Sequence, residues 1–282
     1  MPIDESIKTA KNGISLVGEI IKVAGDNSDV KQAGNNLGKA ALTITATINN
    51  ALLPLAAVNF AFEKARTYFS NKFQQDLLDK TSAIPVEHLV EPKASIAGPA
   101  LQGLAFAHEE ISLKDMYLSL LATTMDGRIA SEAHPAFIEI IKQLNSEEAN
   151  LIREVLQSHI PIPICEMILT TEGQAGWKVI ATHILPYIDL DTNLPIENPR
   201  VPAMVDNSIR LGLVQASYEK YLTEPEGYTW IDQRPEVIRL RKQFDNETQK
   251  ITFRKGILFR TALGIQFAKA VGLEANNMSQ PG

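Results

Sequence analysis

From Ala40 to Phe62 the chain runs for 23 residues without a charged side chain. A helix of that length crosses the hydrocarbon core of a bilayer, so such a run belongs either in a buried core or at a membrane. Its composition argues against a simple span. Thr43, Thr45, Thr47, Asn49, Asn50 and Asn59 are polar and Pro54 lies near the middle. Each such polar group in lipid needs a hydrogen-bonding partner or costs free energy. Two readings stay open: a buried, kinked helix pair, or a membrane-interacting hairpin or interfacial helix. Leu52, Leu53, Pro54, Leu55 and Phe60 are the candidate membrane or partner contacts of this run.

The remaining chain is ordinary globular material. Its apolar fraction is 45% and its charged fraction 21%, which excludes a disordered chain. The single cysteine, Cys165, sits in an apolar run and reads as a buried, inert thiol, with no zinc pattern around it. An acidic start, Asp4-Glu5, argues against a secretory leader. The expected address is cytoplasmic, or peripheral to the inner membrane if the uncharged run binds lipid. Charge is uneven. Residues 111–233 hold 8 Lys+Arg against 17 Asp+Glu, a balance of −9, whereas residues 234–271 hold 9 against 3, a balance of +6. The basic segment offers Arg239, Arg241, Lys242, Arg254 and Lys255 as candidate contacts for nucleic acid or a partner.

Periodicity places helices over most of the first 160 residues. Residues 63–80 form an amphipathic stripe, and prolines 85 and 92 bracket an extended connection that reads as the best domain boundary. Gly98-Pro99 reads as a helix start. Ser112 with Asp115 reads as the cap of a helix whose face is Leu113, Met116, Tyr117, Leu120 and Leu121. His134-Pro135 opens another helix, and Asn145 with Glu148 has the spacing of a reciprocal cap. Beyond His159, the runs 162–169 and 177–184 read as strands and the proline-rich stretch 186–202 as a loop. A helix ending at Gly212 and a strand from Val214 follow. After a helix over 234–244, Arg254-Lys255-Gly256 reads as the tip of a hairpin, and Thr261 caps a last helix. That order is winged-helix-like.

The expected fold class is therefore α+β and predominantly helical. N-terminal (1–83) and central (84–160) helical regions precede a winged-helix-like part (161–272), with 273–282 as a disordered tail.

No phosphate loop, dinucleotide fingerprint, metalloprotease helix or nucleophile elbow is present in the sequence. The five histidines are scattered, and Glu147 and Glu148 sit where a helix start favours acids. The expectation is a non-enzyme without a cofactor or metal.

Three stretches carry a family likeness. The first is Ile84-Pro85, Leu89-Val90-Glu91-Pro92 and Ile96-Ala97-Gly98-Pro99-Ala100-Leu101, followed by the helix Met116–Ala122. The second is His134-Pro135-Ala136-Phe137-Ile138-Glu139-Ile140-Ile141-Lys142-Gln143-Leu144, leading into Ser146–Ala149. The third is Leu211-Gly212-Leu213-Val214 with Lys255–Phe267, where Thr261, Gly264 and Phe267 keep a T-x-x-G-x-x-F pattern. With the apolar segment around Pro54, these resemble the abortive-infection alpha family across most of residues 40–271. The resemblance implies a bacterial protein of phage defence and brings no catalytic residues with it. A protein partner or phage component, a membrane contact, or nucleic acid bound by a winged-helix regulator are the interactions it leaves to weigh.

Overall fold

The computed structural model describes residues 28–52, 59–189 and 192–274. The chain divides into two compact units, residues 1–150 with 266–282, and residues 151–265.

The first unit is helical. Helix α1 (Ser28–Leu52) carries most of the uncharged run. Ala41, Ile44, Ile48 and Ala51 recur at helical spacing and are buried, so this face packs into protein, mainly against α4 (Ala94–Ala107). The Thr43 hydroxyl donates to the Glu91 carboxylate, and the Thr47 hydroxyl to the Thr43 carbonyl at 2.5 Å. These polar groups are thus satisfied inside the unit. Over 40–52 one face of the run is core, while Leu42, Ala46 and Asn50 are exposed. Leu53, Pro54 and Leu55 lie outside the described residues, as does the side chain of Phe60; Leu52 is half-buried. No helix among the described residues is long and apolar enough to cross a membrane.

The amphipathic stretch forms α2 (Asn59–Asn71) and α3 (Phe73–Thr81), separated by a break at Lys72. The 84–92 connection lies within this unit. A bridge joins Leu89 to Asp126, and the Val90 N–H donates to the Met125 carbonyl at 2.9 Å. Helix α4 starts at Ala94 rather than at Gly98, with Pro99 inside it. The next helix, α5 (Ile111–Met125), has Glu110 and not Ser112 at its N-cap position, with no side-chain cap bond, and the Ser112 hydroxyl instead donates to the Asn150 side chain at 2.5 Å. Its expected single apolar face is also corrected, because every residue from Met116 to Asp126 is buried and α5 forms the centre of the unit.

Two helix starts match their sequence signals. His134-Pro135 precedes α6 (Ala136–Ile141), and His134 Nδ1 accepts the Ala136 N–H at 3.1 Å. Asn145 and Glu148 form the reciprocal cap of α7 (Ser146–Gln157), with bonds of 3.0 and 2.9 Å.

The second unit is built on a four-stranded antiparallel sheet in the order β2-β1-β4-β3. Its strands are β1 (Ile162–Thr171), β2 (Trp177–Ile184), β3 (Val214–Ser217) and β4 (Gln249–Arg260). Helix α8 (Val201–Arg210) precedes β3, and Gly212 follows it at φ +74°, a left-handed closure that glycine adopts without steric cost. Helix α9 (Pro235–Phe244) covers one sheet face, where Cys165, Met167, Leu169 and Ile251 meet Val237, Tyr228 and Ile231.

The expected hairpin at Arg254-Lys255-Gly256 is absent. Residues 249–260 are one strand, paired without interruption from Thr171↔Gln249 to Ile162↔Leu258 along β1. The full length of β1 serves as a template, so no turn is needed at Gly256. The winged-helix expectation loses its wing. Thr261 does cap α10 (Ala262–Ala270), its hydroxyl accepting the Gly264 N–H at 2.8 Å. From Gln266 on, α10 belongs to the first unit, where Phe267 packs edge-on against Phe137 at 5.5 Å. The architecture is α+β and predominantly helical, as expected. The expected tail lies, from residue 275, outside the described residues.

Candidate functional site

Along β1 and β4 side chains alternate between faces. One face holds the apolar core. On the other, Glu166 and Arg254 stand directly opposite each other and form an ion pair of 2.6 Å. Glu166 is buried while Arg254 is partly exposed. The pair is flanked by rings: the Arg254 guanidinium lies 5.7 Å from the centroid of Trp177 and 5.9 Å from that of Tyr218. Trp177 is 57% exposed, so its ring is presented to solvent on a guanidinium that the buried Glu166 fixes in place.

Strand β2 brings a second group here through a bulge. Between the pairs Cys165↔Ile184 and Met167↔Ala181, β1 has one residue and β2 has two, Thr182 and His183. His183 takes the left-handed conformation, φ +51°, which is uncommon for any residue other than glycine. Its Nε2 lies 3.2 Å from Asp206 of α8 and its Nδ1 2.9 Å from the Tyr218 hydroxyl. That hydroxyl also accepts the His183 main-chain N–H at 3.0 Å. Asp206 can only accept when ionised, so Nε2 carries the proton and Nδ1 accepts from Tyr218.

Tyr218 crosses the sheet above Gly256. A Cβ at Gly256 would stand 2.5 Å from the Ser217 carbonyl and 2.6 Å from the Tyr218 ring, so this close approach requires glycine. Burial pushes the Tyr218 hydroxyl up to about 12, with the carboxylates of Glu166 and Asp206 adding to the shift. It is therefore a proton donor at neutral pH and not a phenolate. The Cys165 thiol, on the opposite face, is also pushed up to about 12, chiefly by burial and then by Glu236. It is buried and protonated, as its sequence context implied.

The predicted basic residues do not form one surface. Arg254 and Lys255 are successive strand residues and point to opposite faces. Lys255 lies 4.9 Å over the Tyr228 ring. Arg239 is paired with Glu197 at 2.5 Å, and Arg241 with Asp232 at 2.8 Å while stacking over Phe253. Lys242 is exposed. Among the described residues no group of three or more His, Cys, Asp or Glu side chains could hold a metal ion.

Glu166, Trp177, His183, Asp206 and Tyr218 were not singled out by sequence reasoning. They lie on four separate segments, β1, β2, α8 and the residue after β3, and only long-range strand pairing and the His183–Asp206 contact bring them together.

A model of the family described as abortive infection alpha matches residues 65–271. The chain belongs to that family. The abortive infection alpha match takes in the central helical block and the whole sheet, so the Glu166–Arg254 face lies inside the family domain. It points to a role in abortive infection, the phage-defence response. No curated protein and no solved structure matches the chain.

Proposed function

We propose that this abortive infection alpha protein defends its host by binding another protein, without catalysing a reaction. The observation that carries the reading is Trp177, more than half exposed and backed by an Arg254 that the buried Glu166 holds at 2.6 Å. Tryptophan and arginine are the side chains that most often dominate protein interfaces, and a pre-positioned pair loses less entropy on binding. Val179, also exposed, extends the apolar surface two residues along the same strand face. The partner suited to this surface is a protein, host or phage, with an apolar pocket for the indole.

The neighbouring polar groups fit a pre-organised binding surface. The Tyr218 hydroxyl both donates to Nδ1 of His183 and accepts its N–H, and His183 Nε2 is occupied by Asp206. Each of these groups has a partner within the network, which holds the surface beside Trp177 rigid. Binding of nucleic acid through the basic segment has less support, because Arg239, Arg241 and Arg254 each hold a carboxylate within 2.8 Å.

Phage challenge of cells carrying the gene tests the proposal. Replacement of the exposed indole in Trp177→Ala is expected to abolish protection at unchanged protein level and melting temperature, with Trp177→Phe retaining part of it. Full protection by Trp177→Ala would overturn the assignment of this surface.

A further inference from the structure

The first unit contains an open cleft of about 720 Å³, within the range of small-molecule sites. It is lined by α2, the Lys72 break, and the turn that links α4 to α5. None of these residues belongs to the sheet face of the second unit.

The inner wall is a locked aromatic pair. The buried Tyr68 ring stacks on the His108 imidazole at 5.0 Å and 27°. The Tyr68 hydroxyl donates to Asp76 at 3.0 Å, and Asp76 also accepts the Lys114 ammonium at 2.9 Å. His108 donates from Nδ1 to the Ala105 carbonyl at 3.0 Å, which leaves its Nε2 as an acceptor. Its ring is only half-buried, so the Tyr68–His108 stack is open to extension by another flat group. Beside it Ile111 is 79% exposed, an aliphatic side chain with nothing covering it on the cleft rim.

The charges around the cleft leave one cation over. Lys64 holds Glu109 through both carboxylate oxygens, at 2.7 and 2.8 Å, and Arg66 lies 3.9 Å from Glu63. With Lys114 on Asp76, three cations face three carboxylates. Lys72, exposed at the helix break and lining the cleft, is the fourth cation, and no carboxylate pairs with it among the described residues. Among the charged residues that line the cleft, Lys64, Lys72 and Lys114 against Glu63 and Glu109 give 3 − 2 = +1.

We propose that this cleft is a binding site for an aromatic organic phosphate of about the size of a nucleoside monophosphate. The ring lies on His108 and against Ile111, and the phosphate is drawn to Lys72. Stacking supplies the preference for a flat ring, and the surplus ammonium supplies the preference for an anion. The exposed Lys64–Glu109 pair is weak enough for the phosphate to compete for Lys64 as well. A ligand held by the α4–α5 turn at one wall and the α2–α3 break at the other ties these two loops of the first unit together, and so stabilises the folded state by mass action.

Calorimetric titration of the full chain with three probes tests the site: adenosine monophosphate, adenosine, which lacks the charge, and inorganic phosphate, which lacks the ring. Saturable one-to-one binding is expected for adenosine monophosphate, with each of the others at least about tenfold weaker. In Lys72→Glu, whose side chain is exposed and whose fold should be untouched, affinity for the monophosphate should fall by about tenfold or more, and by less at high salt. His108→Ala should weaken the monophosphate and adenosine alike, since it removes only the stack. No saturable binding of adenosine monophosphate at millimolar concentration would overturn the proposal, as would inorganic phosphate binding equally well, or affinity unchanged in Lys72→Glu.

Discussion

At the residue scale, the second unit spends strain and space to assemble one face of its sheet. His183 is held at φ +51°, and Gly256 gives up a side chain so that Tyr218 can lie across it. Gly256→Ala drives a methyl group into a main-chain oxygen that cannot move without breaking the β3–β4 ladder. It should cost about 3 kcal/mol, seen as a lower urea midpoint. A loss within about 0.5 kcal/mol would mean that Tyr218 does not cover this strand. Cys165 provides an independent check on burial. Its thiol is pushed up to about 12, so the folded state keeps the proton over a pH range in which the unfolded thiol loses it. Native protein at pH 8 should resist iodoacetamide, and denatured protein should react at once. Rapid alkylation of the native state would contradict the packing of β1. Cys165 was legible in the sequence because an apolar run announces its own burial. Glu166 was not, because a lone acid in the same run signals nothing until its cross-strand partner is known.

At the element scale, local signals held at some helix starts and failed at others, since Ser112 with Asp115 has the same spacing and forms no cap. The Asn145–Glu148 reciprocal cap and the Thr261 cap need only residues three apart, and both are formed as their spacing implied. Asn145→Ala should cost about 1 kcal/mol by denaturant titration, with an unchanged result placing the start of α7 elsewhere. Elements that depend on distant chain were misread. Arg254-Lys255-Gly256 has the composition of a turn, yet β1 pairs with it residue by residue and makes it the centre of a strand. Helix α1 lies between these cases. The lack of charge from Ala40 on pointed to burial, and the periodicity of Ala41, Ile44, Ile48 and Ala51 shows on which face. Ile48→Asp should destabilise by about 3 kcal/mol or more, because it buries an unpaired charge against α4. Leu42→Asp, at a position 67% exposed, should change stability by less than about 0.5 kcal/mol. Equal sensitivity at both positions would contradict the packing of this helix.

At the scale of the whole molecule, the family domain spans both compact units, and each carries a feature that residue patterns alone did not disclose. The first holds the cleft at His108 and Lys72; the second holds Trp177 on its fixed guanidinium. The central claim is that protection depends on a surface and not on a reaction. The most direct measurement sets His183→Gln beside Trp177→Ala in the same phage challenge, with expression and melting temperature matched. His183→Gln removes the imidazole at the centre of the Tyr218–His183–Asp206 network, while leaving Trp177, Arg254 and Glu166 in place. The account predicts that it keeps its protection and that Trp177→Ala loses it. Protection lost in a well-folded His183→Gln and kept in Trp177→Ala would contradict the contact mechanism and put chemistry at His183 in its place.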